Sequence, residues 1–341
     1  MTVRALIVDD SPSMRALIAM LLRREPGIEV VGSAGSAEAA RGMIRELNPD
    51  VVTLDVEMPG MDGLTFLEKI MRLRPMPVVM VSSLTRKGAE ATIRALEIGA
   101  VDCYAKPKGG MHALGERDEG ELARMVIAAA TAKPSARLRE ATTPARRDGF
   151  DWNGKVVAIG ASTGGVEALS TLLDAWPANG PPTLIVQHMP KGFTASFAAR
   201  LDSRIAPRVV EAEDGIVIEP GTVYIAPSGD RHLSCRRGTK LYTRLVAAPP
   251  VSGHRPAVDM LLTSTADTAG ADAVGIVLTG MGSDGAEGLL AMRQAGALTL
   301  GQDRDTALIY GMPRAAFELG AVVEQLPLDR IAQRALDRCC R

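Results

Sequence analysis

The sequence predicts two α/β domains, each built on a mainly parallel β-sheet. Short apolar runs alternate with amphipathic helical patterns along the 341 residues, and this alternation is typical of parallel sheets covered by helices. The alternation stops at residues 133–151, a segment with two prolines and an excess of basic residues. We therefore expect domains at residues 1–132 and 153–341, joined by a flexible linker at 133–152.

The first domain is predicted to be a five-stranded, doubly wound parallel sheet. In such a sheet, ligands bind at the carboxyl ends of the strands. The apolar runs that predict strands are residues 5–8, 29–32, 51–54, 77–81 and 101–105. The helical patterns between them are residues 13–24, 36–47, 64–73 and 89–98.

Polar side chains follow several of these strands. They are Asp9, Asp10, Asp55, Ser82, Ser83 and Lys106. Carboxylates that lie side by side cannot all ionise without a compensating cation, and oxygen ligands favour Mg²⁺. An aspartate beside Mg²⁺ and Lys106 is suited to attack a phosphoryl donor, because both cations neutralise charge on the transferred group. One acidic residue at a strand end is usually a helix cap, but caps do not explain the whole set.

Three segments resemble the receiver domain of two-component response regulators: DDSPSMR at 9–15, LDVEMPGMDG at 54–63 and AKP at 105–107. The resemblance implies a flavodoxin-like fold in which Asp55 is the phosphoacceptor. It implies that Mg²⁺ is held by Asp10, Asp55 and the backbone carbonyl of Glu57, with Asp9 supporting the acidic cluster.

The same resemblance assigns phosphoryl binding to Ser83 and Lys106. One position departs from the family. Cys103 stands three residues before the lysine, where an aromatic switch residue is usual, and Tyr104 follows it. This departure concerns the aromatic rotation of the usual switch and leaves the phosphorylation site unchanged.

The second domain repeats the α/β pattern. Strand-like runs cover residues 156–159, 183–186, 222–225, 273–278 and 297–300, and residues 209–245 look like antiparallel strands and turns. Ser162 follows the first run in the segment GASTGG, ahead of a helical pattern at 166–173. A serine in such a turn can be a nucleophile beside oxyanion-binding N–H groups, a helix N-cap, or part of a dinucleotide-binding loop. The glycine spacing is not GxGxxG, which disfavours a nucleotide-binding oxidoreductase.

His188 and Asp284 follow two other strands of this domain. A serine hydroxyl is a weak nucleophile until an imidazole takes its proton, and a carboxylate fixes the tautomer of that imidazole. The order Ser, His, Asp differs from that of α/β-hydrolases, which suggests a different fold. His188 alone could be a core histidine, Asp284 a turn residue or N-cap, and His254 is a rival base in a loop. The glycines around Met281 suit an oxyanion hole.

Four segments of this domain resemble the chemotaxis methylesterase CheB family: GASTGG at 160–165, QHMP at 187–190, GHRPAVD at 253–259 and TGMGSDG at 279–285. SSLT at 82–85 and GAVD at 99–102 in the first domain resemble it too. The resemblance implies a Rossmann-like sheet with Ser162 as nucleophile, His188 as general base and then acid, Asp284 as its orienting carboxylate, and the Met281 backbone in the oxyanion hole.

The implied reaction is hydrolysis of glutamate γ-methyl esters on chemoreceptors, with release of methanol and, in many members, deamidation of receptor glutamines. The implied partners are chemoreceptor cytoplasmic domains and the histidine kinase of the chemotaxis pathway. Mg²⁺ is expected for receiver phosphorylation and no cofactor for the esterase reaction. The alternative is a receiver-regulated serine esterase or amidase of a non-chemotactic pathway.

Composition excludes several other classes. The net charge is −1 and aromatic residues make up 3%, so neither a basic field nor stacking platforms for nucleic acid are expected, and no helix-turn-helix pattern is evident. The four cysteines form no CxxC pair, which disfavours a zinc site. The first residues lack a signal-peptide pattern and no apolar run could span a bilayer, so we expect cytoplasmic residence without membrane insertion.

Overall fold

The computed structural model describes residues 2–83, 85–106, 118, 120–132 and 149–341. The chain divides into two compact units, Met1–Arg139 and Glu140–Arg341. Most of the predicted linker lies outside the described residues, as do Leu84, Pro107 and His112. Among the helices that are described, none is long and apolar enough to cross a membrane.

The first unit contains the predicted five-stranded parallel sheet, with strand order β2-β1-β3-β4-β5. The strands are β1 Val3–Val8, β2 Ile28–Ala34, β3 Val51–Asp55, β4 Val78–Ser82 and β5 Asp102–Ala105. The described helices are α1 Pro12–Arg23, α2 Ala37–Leu47, α3 Gly63–Leu73, α4 Arg86–Ile98 and α5 Glu121–Thr131. The strand order reverses between β1 and β3, so ligands are expected where these two strands end.

Short polar side chains fix where the helices of this unit begin. Ser11, Ser36 and Asp62 each accept a hydrogen bond from a backbone N–H of the helix that follows. Thr85 does the same for α4, accepting from Gly88 N, and α4 therefore begins three residues before the helical pattern predicted at 89. All residues of β3 and β4 are buried, as expected for central strands covered on both faces.

The second unit contains a seven-stranded sheet of order β14-β13-β12-β6-β7-β9-β8, in which every neighbouring pair is parallel. Its strands are β6 Val156–Ala161, β7 Thr183–Gln187, β8 Arg208–Glu211, β9 Thr222–Ile225, β12 Ala273–Val277, β13 Leu298–Gln302 and β14 Glu324–Leu326. Among the described strands, antiparallel pairing occurs in the hairpin of β10 His232–Arg237 and β11 Leu241–Val246. The predicted mainly parallel sheet with a short antiparallel region is confirmed, but β8 lies in the main sheet.

Helices cover this sheet and close its hydrophobic core. They are α6 Gly165–Leu173, α7 Thr194–Asp202, α8 Val258–Ala269, α9 Ala286–Gln294, α10 Met312–Glu318 and α11 Leu328–Cys339. One core cluster joins apolar residues of β6, β7, the hairpin, α8 and α9. Trp176, which follows α6, is buried, and its indole N–H donates to Thr183 Oγ1 at 3.0 Å.

The central strand β6 begins the sheet, and the chain then builds outward on both of its sides. Strands β7, β9 and β8 lie on one side, and β12, β13 and β14 lie on the other. The topological switch point therefore falls between β6 and β12. In open α/β sheets the binding crevice forms at this point, outside the carboxyl ends of the strands.

Two glycines of the first unit provide a matched test of this packing. A Cβ at Gly63 would lie 2.0 Å from the Asp55 carbonyl oxygen, whereas a Cβ at Gly42, exposed on α2, would meet nothing within 4 Å. We expect Gly63→Ala to destabilise the unit by about 1–3 kcal/mol through overpacking. Gly42→Ala should stabilise it by about 0.5–1 kcal/mol. Calorimetry of the full chain should show opposite shifts, and equal shifts would contradict this packing.

Candidate active site and candidate phosphorylation site

Three loops at the carboxyl edge of the second sheet carry the predicted catalytic side chains. Ser162 follows β6, His188 follows β7, and Asp284 lies in the loop after β12. Backbone hydrogen bonds join these loops, since Ser162 N donates to Thr279 O and His188 N donates to Ala161 O, both at 3.0 Å. The fold thus brings three residues that are far apart in sequence to one end of the sheet.

The turn that carries Ser162 is fixed by two polar side chains, one at the end of β7 and one two residues after β12. Gln187 Nε2 donates to Ser162 O at 2.8 Å, and Thr279 Oγ1 donates to Thr163 O at 3.0 Å. A Cβ at Gly280 would lie 2.7 Å from Ser162 Cβ, so this close approach requires glycine. The position of the serine is therefore set by contacts on both sides of the turn.

The N-cap alternative for Ser162 is wrong. The N-cap residue of α6 is Gly164, with a left-handed φ of 77°, and this helix end has no side-chain cap hydrogen bond. Ser162 O accepts a hydrogen bond from Gly165 N, which closes the turn just before the helix. The Ser162 hydroxyl is therefore not used to begin the helix.

His188 and Asp284 form a buried pair. His188 Nε2 lies 2.8 Å from Asp284 Oδ2, and the two side chains are 8% and 1% exposed. A carboxylate can only accept, so Nε2 carries a proton, and in the neutral form of the ring the lone pair lies on Nδ1. That arrangement is the one a general base needs.

The Asp284 carboxylate also binds the N-terminus of α8. Val258 N donates to Oδ2 at 2.8 Å and Asp259 N donates to Oδ1 at 2.9 Å. Burial alone would raise the pKa of Asp284, but the hydrogen bond and charge of His188 and the two backbone donors lower it below its ordinary value. The carboxylate therefore stays ionised and keeps His188 oriented.

The third link of the predicted constellation is not closed in this structure. Within the described part of the chain, His188 Nδ1 has no hydrogen-bond partner, so the Ser162 hydroxyl does not donate to it. Catalytic hydrogen bonds are often long in enzymes without substrate and shorten when substrate binds. The catalytic roles of Ser162, His188 and Asp284 therefore stay a prediction that this geometry permits.

A second carboxyl group lies beside Asp284. Asp259 Oδ1 accepts from Gly288 N at 2.8 Å. Burial and the neighbouring Asp284 charge raise the pKa of Asp259 to about 6. Sequence reasoning gave Asp259 no role. The sequence feature that could have indicated a role is its position at the start of a helix, within the segment GHRPAVD.

The segment around Met281 lies next to Ser162, as the oxyanion-hole prediction requires. A Cβ at Gly280 would lie 3.2 Å from Ser162 N, and Gly282 has a left-handed φ of 84°. These glycines let the backbone pass close to the serine without side chains in between. The use of the Met281 N–H as an oxyanion donor stays a prediction.

The rival base His254 lies against His188 instead of replacing it. The two imidazole rings are stacked, with centroids 3.7 Å apart and an interplanar angle of 10°. His232, for which no role was predicted, is fully buried at the start of β10. Gln187 also had no predicted role. The sequence feature that could have indicated one is a polar residue at the end of a buried apolar strand.

In the first unit, one lysine compensates two buried carboxylates. Lys106 Nζ lies 2.7 Å from Asp55 Oδ2 and 2.9 Å from Asp9 Oδ2. Burial raises the pKa of Asp55 above its ordinary value, Lys106 opposes this shift, and the Asp9 charge adds to it. Burial alone lowers the pKa of Lys106, but pairing with both carboxylates outweighs burial and raises it.

The residues at this site fit a hard divalent cation. Carboxylate oxygens of Asp9, Asp10 and Asp55 lie within 4.8 Å of one another, and Asp10 is exposed. Apart from the contact with Lys106, no described group donates a hydrogen bond to Asp9 Oδ2 or Asp55 Oδ2. Oxygen donors with one exposed side are the set that suits Mg²⁺, which keeps several waters.

The other predicted receiver residues are placed as follows. Glu57 N donates to Asp55 Oδ1 at 3.2 Å, which puts the Glu57 backbone beside the phosphoacceptor. Ser83 follows β4, and its Oγ lies 3.2 Å from Thr85 Oγ1. The roles of Glu57 and Ser83 in binding metal and phosphoryl groups stay predictions.

The position of the usual aromatic switch is buried. Burial raises the pKa of the Cys103 thiol well above its ordinary value. Tyr104, also buried, donates its hydroxyl to Asp118 Oδ1 at 2.7 Å. The tyrosine side chain is therefore held inside the unit by a hydrogen bond, on the opposite side of β5 from Cys103.

Fold and sites together define a response regulator whose receiver domain precedes an α/β domain of the hydrolase type. The family described as CheB methylesterase matches residues 157–335, and the response regulator receiver domain matches residues 5–114. The chain belongs to the CheB methylesterase family.

Individual relatives agree with this assignment. A protein from Caulobacter vibrioides named protein-glutamate methylesterase/protein-glutamine glutaminase 1 is 57% identical, covering 98% of this chain and 97% of its own length. A relative from Agrobacterium fabrum, named for the same two activities, is 55% identical over 98% of this chain and 95% of its own length. The crystal structure of the Thermotoga maritima CheB methylesterase catalytic domain is 38% identical with a TM-score of 0.53, covering 54% of this chain and 98% of that domain.

The Asp259 carboxyl should give folding stability a measurable pH dependence. Its folded-state pKa of about 6 lies above the ordinary value of 3.8, so the folded protein binds this proton more tightly than the unfolded chain. Its contribution is therefore present at low pH and is lost as the pH rises through about 6. In Asp259→Asn, the free energy of unfolding measured with urea should fall less steeply across that pH range. Asp267→Asn, an exposed position on the same helix, should leave the profile unchanged.

Proposed function

We propose that this chain is a phosphorylation-activated serine hydrolase that removes glutamate γ-methyl esters from chemoreceptors and deamidates receptor glutamines. The observation that carries the proposal is the buried contact between His188 and Asp284. In the neutral ring of His188 the lone pair lies on Nδ1, at the sheet edge that carries Ser162. The names of the relatives support the substrate and both activities.

The proposed acylation step uses these three side chains. Ser162 Oγ attacks the ester carbonyl carbon while His188 Nδ1 takes the hydroxyl proton, and the resulting imidazolium is stabilised by Asp284. His188 then returns the proton to the methoxy oxygen. The C–O bond of the ester breaks, methanol leaves, and the glutamyl group remains on Ser162 as an acyl-enzyme.

Deacylation repeats the same proton transfers with water as the nucleophile. His188 takes a proton from water, the hydroxide attacks the acyl carbon, and the proton returns to Ser162 Oγ as a glutamate side chain is released. With a glutamine side chain the leaving group is ammonia, and the acyl-enzyme is identical. One site thus accounts for both activities.

The negative oxygen of each tetrahedral intermediate is assigned to the Met281 backbone N–H, in the glycine-rich segment beside Ser162. Loss of one such donor costs about 3–4 kcal/mol of transition-state stabilisation. All proton transfers in both steps use side chains of this chain, so we expect the hydrolysis to need no cofactor.

Control of the hydrolase is assigned to phosphorylation of Asp55 by the histidine kinase of the chemotaxis pathway. Asp10, Asp55 and the Glu57 carbonyl would hold Mg²⁺, supported by Asp9, and the ion would neutralise charge on the transferred phosphoryl group. Lys106 already contacts Asp55, and Ser83 would bind a phosphoryl oxygen. Phosphorylation would then shift the population toward states that accept substrate.

We assign the regulatory and catalytic functions to the two predicted domains. The receiver would occupy residues 1–132, the linker 133–152 and the catalytic domain 153–341. Support comes from the two matched family regions, which fall inside these ranges. A cytoplasmic location and the chemoreceptor partner belong to the same proposal.

Ser162→Ala should reduce methanol release from methylated receptor membranes by at least about a thousandfold, because the nucleophile is removed. Asp284→Asn should cause a loss of similar order, since an amide cannot stabilise the imidazolium and stops favouring the Nδ1 lone pair. Thr171→Ser, a conservative change on α6, is the control. Substantial turnover by Ser162→Ala would contradict the proposal, whereas activity on small esters without activity on receptors would favour a non-chemotactic pathway.

Acetyl phosphate with Mg²⁺ should raise methanol release by the wild-type chain and should not do so in Asp55→Asn. The exposed α2 variant Glu46→Gln should respond as the wild type does. Basal hydrolysis by Asp55→Asn should persist, because this residue belongs to the first unit. A full response by Asp55→Asn would overturn the regulatory half of the proposal and leave the catalytic half intact.

A further inference from the structure

We propose that His254 is a positioning residue, whose imidazole holds the ring of His188 in the plane required for proton transfer. The proposal rests on the function proposed above, in which His188 is the general base. The two rings are stacked with their centroids 3.7 Å apart and an interplanar angle of 10°. Two aromatic faces at this separation are in full van der Waals contact.

A single hydrogen bond does not orient an imidazole completely. Asp284 fixes the position of Nε2 at 2.8 Å, but the ring can still turn about the line that joins these two atoms. The terminal torsion of a histidine side chain is broad, so the backbone does not supply the missing restraint. A flat neighbour parallel to the ring fixes its plane. Once Nε2, the plane and the bond from the ring to Cβ are all fixed, the place of Nδ1 is fixed too.

The turn that carries His254 is well defined. Val251 N donates to His254 O at 3.0 Å, and His254 N donates to Val251 O at 2.9 Å. The two central residues, Ser252 and Gly253, have positive φ values of 52° and 80°. Positive φ at both central positions is the signature of a type I′ turn, a tight two-residue connection.

The segment around this turn is held at both of its ends by His232. His232 Nδ1 accepts from Ala257 N at 3.1 Å, so its Nε2 carries the proton and donates to Pro249 O at 3.0 Å. This histidine is fully buried at the start of β10. It therefore joins the hairpin to one residue on each side of the turn, two positions before it and three positions after it.

Arg255 adds two further anchors. Its Nε donates to Gly229 O at 3.1 Å, and its Nη1 donates to Ala248 O at 3.0 Å. These bonds tie the residue next to His254 to the loops on either side of the hairpin. The position of His254 is thus set by the hairpin and not by the stack alone.

The same segment supplies the other restraint on His188. Directly after Ala257, it becomes α8, whose first N–H groups donate to Asp284 at 2.8 and 2.9 Å. One stretch of chain therefore positions both the carboxylate that pairs with His188 and the ring that covers its face. An aromatic face against the imidazolium formed during catalysis is also favourable electrostatically.

Kinetics of three full-length variants separate positioning from direct chemistry. His254→Ala removes the flat face and should lower kcat for methanol release about tenfold to a hundredfold, with a smaller change in KM. His254→Phe keeps a flat face without titratable nitrogens and should retain most of the wild-type kcat. Ser252→Asn, on the same turn and tolerant of positive φ, should match the wild type.

Two outcomes would overturn the proposal. Wild-type kcat in His254→Ala would show that the stack is dispensable. Equal losses in the Ala and Phe variants would show that a ring nitrogen of His254 takes part in the chemistry, so that it is not a positioning residue.

Nuclear magnetic resonance tests the positioning without relying on activity. The chain has four histidines, so ¹³C-labelled imidazole resonances can be assigned by substitution. The ring current of His254 should move the ring protons of His188 upfield in the full-length protein. These signals should shift downfield in His254→Ala and much less in His254→Phe. An unchanged His188 spectrum in His254→Ala would refute the stack, even if the wild type showed no esterase activity and the proposed function failed.

Discussion

The buried carboxylate of Asp284 is the constraint on which the second unit depends. A buried charge is costly unless it is paired and hydrogen-bonded, and Asp284 meets this requirement with one side-chain donor and two backbone donors. The backbone donors are at the N-terminus of α8, which has no side-chain cap from its own N-cap residue Ala257. Each therefore satisfies the other: the helix end neutralises the carboxylate, and the carboxylate caps the helix. Any shift of α8 against the β12 loop would break this pairing and disturb His188.

The two units place their chemistry by the same topological rule but balance charge differently. Both sites lie at the carboxyl ends of strands where the strand order reverses. In the receiver, Lys106 faces both Asp9 and Asp55, so negative charge remains in excess and a divalent cation is accommodated. In the second unit, the negative charge of Asp284 is stabilised by three hydrogen-bond donors. That site is suited to moving a proton between neutral partners rather than to holding a metal.

Much of this arrangement could be predicted from sequence, because strand periodicity and parallel order decide which residues share a sheet edge. Both sheets, the acidic cluster with Lys106, and the shared edge of Ser162 and His188 follow from that logic. Contacts between side chains and backbone groups that are far apart in sequence do not follow from strand periodicity. The pairing of Asp284 with the start of α8 spans 26 positions, and the stack on His188 depends on a loop whose shape is set by a separate hairpin. The short edge strand β14 has no apolar run and was also missed.

The placement of the indole rings has an optical consequence. Both tryptophans of the chain, Trp152 and Trp176, lie in the second unit, and Trp176 is buried with its N–H bonded to Thr183. Tyr104 is the single tyrosine of the first unit and is buried as well. Tryptophan emission excited at its red edge therefore originates in the second unit alone. In a sample of the full chain, the change in that emission on unfolding is therefore a signal from the second unit, to which the receiver contributes no indole ring.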